Sequence, residues 1–148
     1  MIVRSWEAFQ PFANKIHQLD LEYFPFSNWD LSTWKSLFTN RDLMVAIAFK
    51  EQIIAGFAVT SQVSDEAELL KICIAEKFQG KAFGYSLLKR VTAELADKGF
   101  RRIYLEVRAD NVKANRFYRC FGFSETGKRS GYYSHPVCDA VLFSIEIG

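Results

Sequence analysis

The chain is poor in the residues that mark several common function classes. It has 3 cysteines, 2 histidines and 3 prolines among 148 residues. Cys73, Cys120 and Cys138 are odd in number and scattered, so they do not form a disulfide framework. With only His17 and His135 beside them they make no metal-ligand pattern, and no metal is expected. Reduced thiols in a cytoplasmic protein are the simplest account. Charge of one sign is also scarce. A net charge of +2 is too small to argue for nucleic acid as a partner. No apolar run approaches the roughly 18 residues of a membrane span, and the opening MIVRSWEAF lacks the basic-then-apolar layout of a signal segment. Linkers, repeats and low-complexity tracts are missing too. A single domain over residues 1–148 is expected, large enough to bury a core.

Apolar character is plentiful. Hydrophobic residues make up 49% and charged residues 24%, which reads as a soluble globular chain. The 14 phenylalanines supply core, with some left to line a cleft.

In order, Ile2 to Trp6 reads as a short strand. From Glu7 to Tyr23 the residues Phe9, Phe12, Ala13, Ile16, Leu19 and Tyr23 recur at helical spacing. Pro11 falls near that helix start, where it is tolerated, and Pro25 ends the segment. A second helix runs from Asp30 or Ser32 to about Phe38, with Asp30 a fitting cap. Leu43 to Phe49, Ile53 to Val63 and Ala67 to Ala75 read as a three-stranded meander, in which Gly56 marks a close approach or a bulge. After a loop over residues 76–82, Gly84, Leu87, Leu88, Val91 and Leu95 form the stripe of an amphipathic helix that Gly99 ends. Arg101 to Arg108 alternates as a strand. Asp110 or Asn111 caps a last helix that Gly122 closes. Phe123 to Tyr133 and Ala140 to Ile147 close the chain as a hairpin with an irregular joint at His135-Pro136. The order β-α-α-β-β-β-α-β-α-β-β implies an α/β (α+β) fold with a mixed sheet covered by helices.

The stretch Glu66 to Gly84 carries the strongest chemical signal. A strand there feeds a glycine-containing loop that opens a helix, and such loops offer free backbone N–H groups and a favourable dipole to an anion. Lys77 and Lys81 flank the turn. A Walker A loop would need glycine at position 75 and Ser or Thr at position 82, where Ala75 and Ala82 stand. A dinucleotide fingerprint would need a third glycine beside Gly80 and Gly84.

Five other places invite a chemical reading. Glu106 lies within a strand expected to be central, on a face with Tyr104, and must be solvated, paired or functional. It either pairs with Arg108 or Arg102, or acts as a general base for an amine nucleophile. An α-amine has a reference pKa of about 8, so a base has a proton to remove near neutrality. Tyr118 is either a core aromatic or a phenol that protonates a departing thiolate. Asn111 is a helix cap that can also meet a ligand, and Tyr132 and Tyr133 should point to opposite faces of their strand. The aromatic loop from Phe24 to Trp29, with Phe26 at its middle, either tucks its rings into the core or walls a substrate entrance. Cys73 reads as apolar filler.

Taken together, these stretches resemble the GNAT superfamily, and within it the ribosomal-protein-alanine N-acetyltransferases. Gln79-Gly80-Lys81-Ala82-Phe83-Gly84 is similar to the acyl-coenzyme A loop of that family. Further likeness lies in Glu68 to Ile74, Leu105 to Asn111, Phe117-Tyr118, Phe121 to Phe123, Gly131 to Tyr133 and Asp139-Ala140. It covers about Glu66 to Ile147, with weaker agreement at Phe24 to Ser27. The resemblance implies the GNAT fold, with a mostly antiparallel seven-stranded sheet and helices on both faces. It implies acetyl-CoA as donor, a protein N-terminal α-amine as acceptor, with a ribosomal protein as one candidate, and direct transfer without an acyl-enzyme. Ile72, Cys73 and Ile74 would then hold the pantetheine through their backbone. Gln79, Gly80, Lys81, Ala82, Phe83, Gly84 and Tyr85 would form the pyrophosphate loop, with Asn111 a further coenzyme contact. Glu106 would be the base and Tyr118 the acid, with Phe26, Tyr132 and Tyr133 near the peptide. No direct contact with nucleic acid or membrane is implied, and a monomer or weak dimer is expected.

Two positions depart from the pattern. Ala82 replaces a loop glycine, which is costly if the backbone there needs a positive φ and merely crowded if it is helical. Tyr85 stands where a small or basic residue is usual. Beside N-terminal acetylation, two other functions remain open: acetylation of a small-molecule amine or a lysine, and a silent acyl-CoA-binding module. The presence of both Glu106 and Tyr118 argues against the last.

Overall fold

The computed structural model describes residues 1–148. Its first strand, β1 (Ile2–Val3), is shorter than expected because Ser5 caps the next helix, its Oγ accepting from the Ala8 N–H at 3.2 Å. The expected long helix is divided. α1 (Trp6–Phe9) passes through a tight 3-10 turn, Gln10–Phe12, into α2 (Ala13–Tyr23). Pro11 in that turn has no N–H to give an α-helical ladder, so the turn tightens around it. Asp30 caps α3 (Leu31–Asn40), its Oδ1 taking the Thr33 N–H at 2.8 Å.

The meander forms as the alternation predicts: β2 (Asp42–Lys50), β3 (Ile53–Val63) and β4 (Glu66–Ile74). α4 (Phe83–Asp97) crosses to β5 (Arg102–Arg108), and α5 (Val112–Phe121) leads to β6 (Ser124–Ser134) and β7 (Val137–Glu146). The sheet has seven strands in the order β1-β2-β3-β4-β5-β7-β6. Only β4 and β5 run parallel. β7 therefore lies inside, against β5, and β6 forms the edge.

The irregular joint expected at His135-Pro136 is present as a cis peptide bond. Ser134 and Val137 still pair across a tight turn there. The register also slips between Arg129 and Tyr133, where Gly131 adopts φ +59° and gives its N–H to Asp139 Oδ1 at 2.8 Å.

Each face of the sheet buries its own core. Leu87, Leu88, Val91 and Leu95 of α4 pack with Ile103, Leu105, Phe143 and Tyr118 on one face. Phe9, Ile16, Leu19 and Trp34 pack with Val45, Ile47 and Phe57 on the other, where the Phe9 and Trp34 rings stack at 4.9 Å. Gly56 is a close approach, since a Cβ there would sit 2.2 Å from the Cys73 carbonyl oxygen. It also adjoins a bulge, because Ala48 and Phe49 face Gly56 and Ile54 with Ala55 left over.

A second bulge decides the site. Val59 faces Lys71 and Thr60 faces Leu69, so Leu70 is the extra residue of β4. Before it Ala67 and Leu69 face α4; after it Ile72 and Ile74 do, while Cys73 turns to the opposite face. The parity of the strand is reversed within one residue.

Candidate active site

β4 and β5 pair only from Glu66 to Glu68 and from Arg102 to Tyr104. β4 then stays with β3 as far as Ile74, and β5 stays with β7 as far as Arg108. The sheet thus splits, and from Leu70 to Ile74 the β4 edge that faces β5 has no strand beside it. A cavity of about 460 Å³ occupies the gap. Ile72, Cys73 and Ile74 line it from β4, and Gln79, Gly80 and Ala82 from the loop. Phe83, Gly84 and Tyr85 face it from the first turn of α4, and Asn111 and Tyr118 close the far wall. Eleven expected residues are therefore brought to one place.

The loop presents free backbone donors. Gly80 has φ +73°, and Ala82 has φ 64° and ψ 13°, a left-handed conformation at the N-cap of α4. The first backbone bond of the helix runs from the Ser86 N–H to the Ala82 carbonyl at 3.0 Å. The N–H groups of Gly80 through Tyr85 find no acceptor in the protein. Such a run of free donors at a helix N-terminus favours phosphate.

The cations differ from the expected pair. Lys81 lines a separate cavity on the other side of the loop, with Met1, Phe49 and Arg90. Lys77 lies over the Phe78 ring at 5.0 Å. Lys113 of α5 supplies the charge at the site instead. Its Nζ donates to Gln79 Oε1 at 2.9 Å, and Gln79 Nε2 donates to the Ile74 carbonyl at 2.8 Å. Phe117 also lines the cavity. Sequence reasoning missed both, because a polar residue in a first turn and an aromatic on an apolar stripe carry no signal of their own.

Asn111 is a cap, accepting from the Ala114 N–H at 3.1 Å, and it borders the cavity as well. A second asparagine supports it. Asn115 is buried and its Nδ2 donates to the Arg108 carbonyl at 2.9 Å and the Asn111 carbonyl at 2.7 Å. That tie holds the end of β5 to the start of α5. The i, i+4 pairing of two asparagines was the available clue.

Tyr118 is 8% exposed, its ring set against Phe117, Phe123 and Phe143. Burial, and then the nearby Tyr133, push its phenol well above the ordinary tyrosine value. Glu106 lies outside the cavity wall, with its side chain 19% exposed. Its Oε1 meets Arg129 Nη2 of β6 at 3.1 Å. Neither expected arginine reaches it. Arg102 bonds Glu66 and Glu146, while Arg108 bonds Asp110 and the Pro136 carbonyl.

Tyr132 and Tyr133 also stand beyond the cavity, their rings 5.0 Å apart. Arg129 covers Tyr132 and Arg108 covers Tyr133, each at 5.2 Å. Tyr133 is half-buried, and its pKa is pushed up to about 12 by burial first and by the Glu106 charge second. The loop from Phe24 to Trp29 divides its rings. Phe24 lines the cavity and Trp29 packs on Trp34 at 4.8 Å. Phe26 is 74% exposed and stacks on His135, at the tip of the β6–β7 hairpin, at 4.9 Å. Loop and hairpin thus touch on the same side of the sheet as Glu106.

The arrangement offers an extended strand edge, an anion loop, a buried phenol and a carboxylate across a split sheet. Comparison with known proteins gives the family. The model of the acetyltransferase (GNAT) family matches residues 5–123. The [ribosomal protein bS18]-alanine N-acetyltransferase of Haemophilus influenzae is 38% identical over 108 residues, 73% of each chain. Its counterpart in Escherichia coli K12 is 39% identical over 98 residues, 64% of this chain and 65% of that one. The crystal structure of the ribosomal-protein-S18-alanine N-acetyltransferase from Escherichia coli superposes with a TM-score of 0.81 at 28% identity, covering 100% of this chain and 94% of that one. The chain belongs to the GNAT acetyltransferase family, and the relatives it matches over most of its length are ribosomal-protein-alanine N-acetyltransferases.

Proposed function

We propose that the protein transfers the acetyl group of acetyl-CoA to the N-terminal α-amine of a protein, with a ribosomal protein bS18 that begins with alanine as the acceptor. The observation that carries the reading is the split between β4 and β5, with free donors lining its cavity and Glu106 on β5 beyond the cavity wall. Acetyl-CoA is a substrate here. Its pyrophosphate lies on the N–H groups of Gly80 to Tyr85, and its pantetheine runs beside the free edge at Ile72 to Ile74 as an extra strand would. The acceptor amine enters from the side of Phe26, Tyr132 and Tyr133.

The amine nitrogen attacks the thioester carbonyl and the C–S bond breaks. The Glu106 carboxylate accepts the proton that the amine loses, and the Tyr118 phenol gives one to the departing sulfur. Cys73 takes no part, since burial pushes its thiol up to about 12, where a thiolate is scarce near neutrality. The three free thiols suit the reducing cytoplasm.

The test is thiol release from acetyl-CoA with hexapeptides that begin with alanine, among them the bS18 N-terminus. Turnover is expected, falling about 10²- to 10⁴-fold in Glu106→Gln with acetyl-CoA binding retained. Turnover on polyamines but on no peptide would move the acceptor to small amines. Coenzyme binding with no turnover on any amine would leave a silent binding module.

A further inference from the structure

Lys71 and Asp20 form an ion pair sealed inside the molecule. Their side chains are 4% and 0% exposed, and Nζ lies 2.5 Å from Asp20 Oδ1. Alternation from Ala67 and Leu69 would have sent Lys71 toward α4. The bulge at Leu70 turns it to the opposite face, beneath the loop from Phe24 to Trp29. There it makes further contacts. Nζ donates to the Ser27 carbonyl at 2.8 Å and lies 3.8 Å from the centre of the Trp29 ring, and the Phe24 ring is 5.0 Å away. The second oxygen of Asp20 accepts the Trp29 N–H at 2.8 Å. One ammonium thus binds α2, both ends of the loop, and the strand on which the sheet divides.

Such a pair is a poor way to gain stability. Two desolvated charges often do no better than apolar groups of the same volume. Burial pulls the lysine below its ordinary pKa, with the Asp20 carboxylate acting against that shift. What the pair supplies is geometry. Ser27 is the point where the loop is held down, between Phe26, which reaches across to His135, and Asn28, which bonds the Phe24 and Pro25 carbonyls. The start of the loop has a separate anchor, since Tyr23 Oη accepts the Glu76 N–H at 2.6 Å. Residues 25–29 have no hydrogen bond to α2 or the sheet except those to Lys71 and Asp20.

We propose that Lys71, with Asp20, is a positioning residue for the acceptor: it locks the loop from Phe24 to Trp29 onto β4 at the Leu70 bulge, setting the wall past which the amine enters. The inference rests on the acyl-transfer reading above. It concerns the acceptor and not the coenzyme, so the two substrates separate in the test.

The variants are Lys71→Met, which leaves the Asp20 carboxylate unpaired, and Lys71→Met with Asp20→Asn, which removes both charges and keeps an acceptor for Trp29. The double variant is expected to fold like the wild type. Its KM for the alanine peptide rises about tenfold or more, as for loss of a charged hydrogen bond, while kcat changes little. The dissociation constant for acetyl-CoA is unchanged, and faster amide exchange is confined to residues 25–29. A folded double variant with the wild-type KM and wild-type exchange in that segment overturns the proposal. So does a lowered Tm with an unchanged KM, which would make the pair purely structural. A wild type that acetylates no amine defeats the acyl-transfer reading first, and this inference with it.

Discussion

Tyr118 illustrates how much of a residue's meaning is set by its surroundings. On the α5 stripe alone it reads first as a core aromatic, with the acid as the alternative, and the structure makes it both buried and a lining of the cavity. Its raised pKa keeps the phenol protonated through the neutral and mildly alkaline range. By linkage, the stability from this raised group is present below the usual tyrosine pKa of about 10 and is lost only as pH climbs toward the folded value. Tyr118→Phe is therefore expected to lower kcat by about 10²-fold or more with the acetyl-CoA dissociation constant held, as measured by thiol release and calorimetry. In the wild type, no alkaline fall in kcat below about pH 10 is expected from this group. Glu106 was legible from strand alternation alone. Its partner Arg129 was not, because β6 meets it only through the placing of β7 inside the sheet.

At the scale of the element, the loop before α4 was legible as strand, turn and helix, since glycine placement and apolar stripe are local signals. The sign of φ at residue 82 was not, because it depends on where the helix must start relative to β4. Ala82 proves to be left-handed at φ 64°, so its methyl carries the cost rather than mere crowding. Ala82→Gly is expected to stabilise the protein by about 1 kcal/mol, raising Tm by a few degrees in a thermal melt, without weakening acetyl-CoA binding. Weaker binding would mean that the loop relies on the stiffness of alanine. The bulge at Leu70 left only a faint mark, the adjacent Leu69 and Leu70 that interrupt the alternation of β4, and the interruption does not say to which face the later residues turn.

At the scale of the molecule, two apolar layers share one sheet. Phe9 and Leu88 lie on opposite faces and each is fully buried. Phe9→Ala is expected to cost about 3–5 kcal/mol and Leu88→Ala about 2–5 kcal/mol. Both should lower the midpoint of one and the same urea transition, followed by circular dichroism and fluorescence together. Separate transitions for the two variants would show layers that fold independently.

The sequence by itself determined the order of the main elements, the cap at Asp30, a cap at Asp110 or Asn111, and the strand, loop and helix around Gly80, and it singled out Glu106 and Tyr118 as candidates. These rest on spacing along a helix or strand and on the chemistry of near neighbours. Tertiary structure alone decided that β7 separates β5 from β6, that Lys113 and not Lys81 attends the cavity, and that Lys71 is sealed against Asp20. It also decided that Phe26 meets His135. Each of these joins residues far apart in the chain, and is settled by strand register and by which face a bulge presents, which short-range periodicity does not encode.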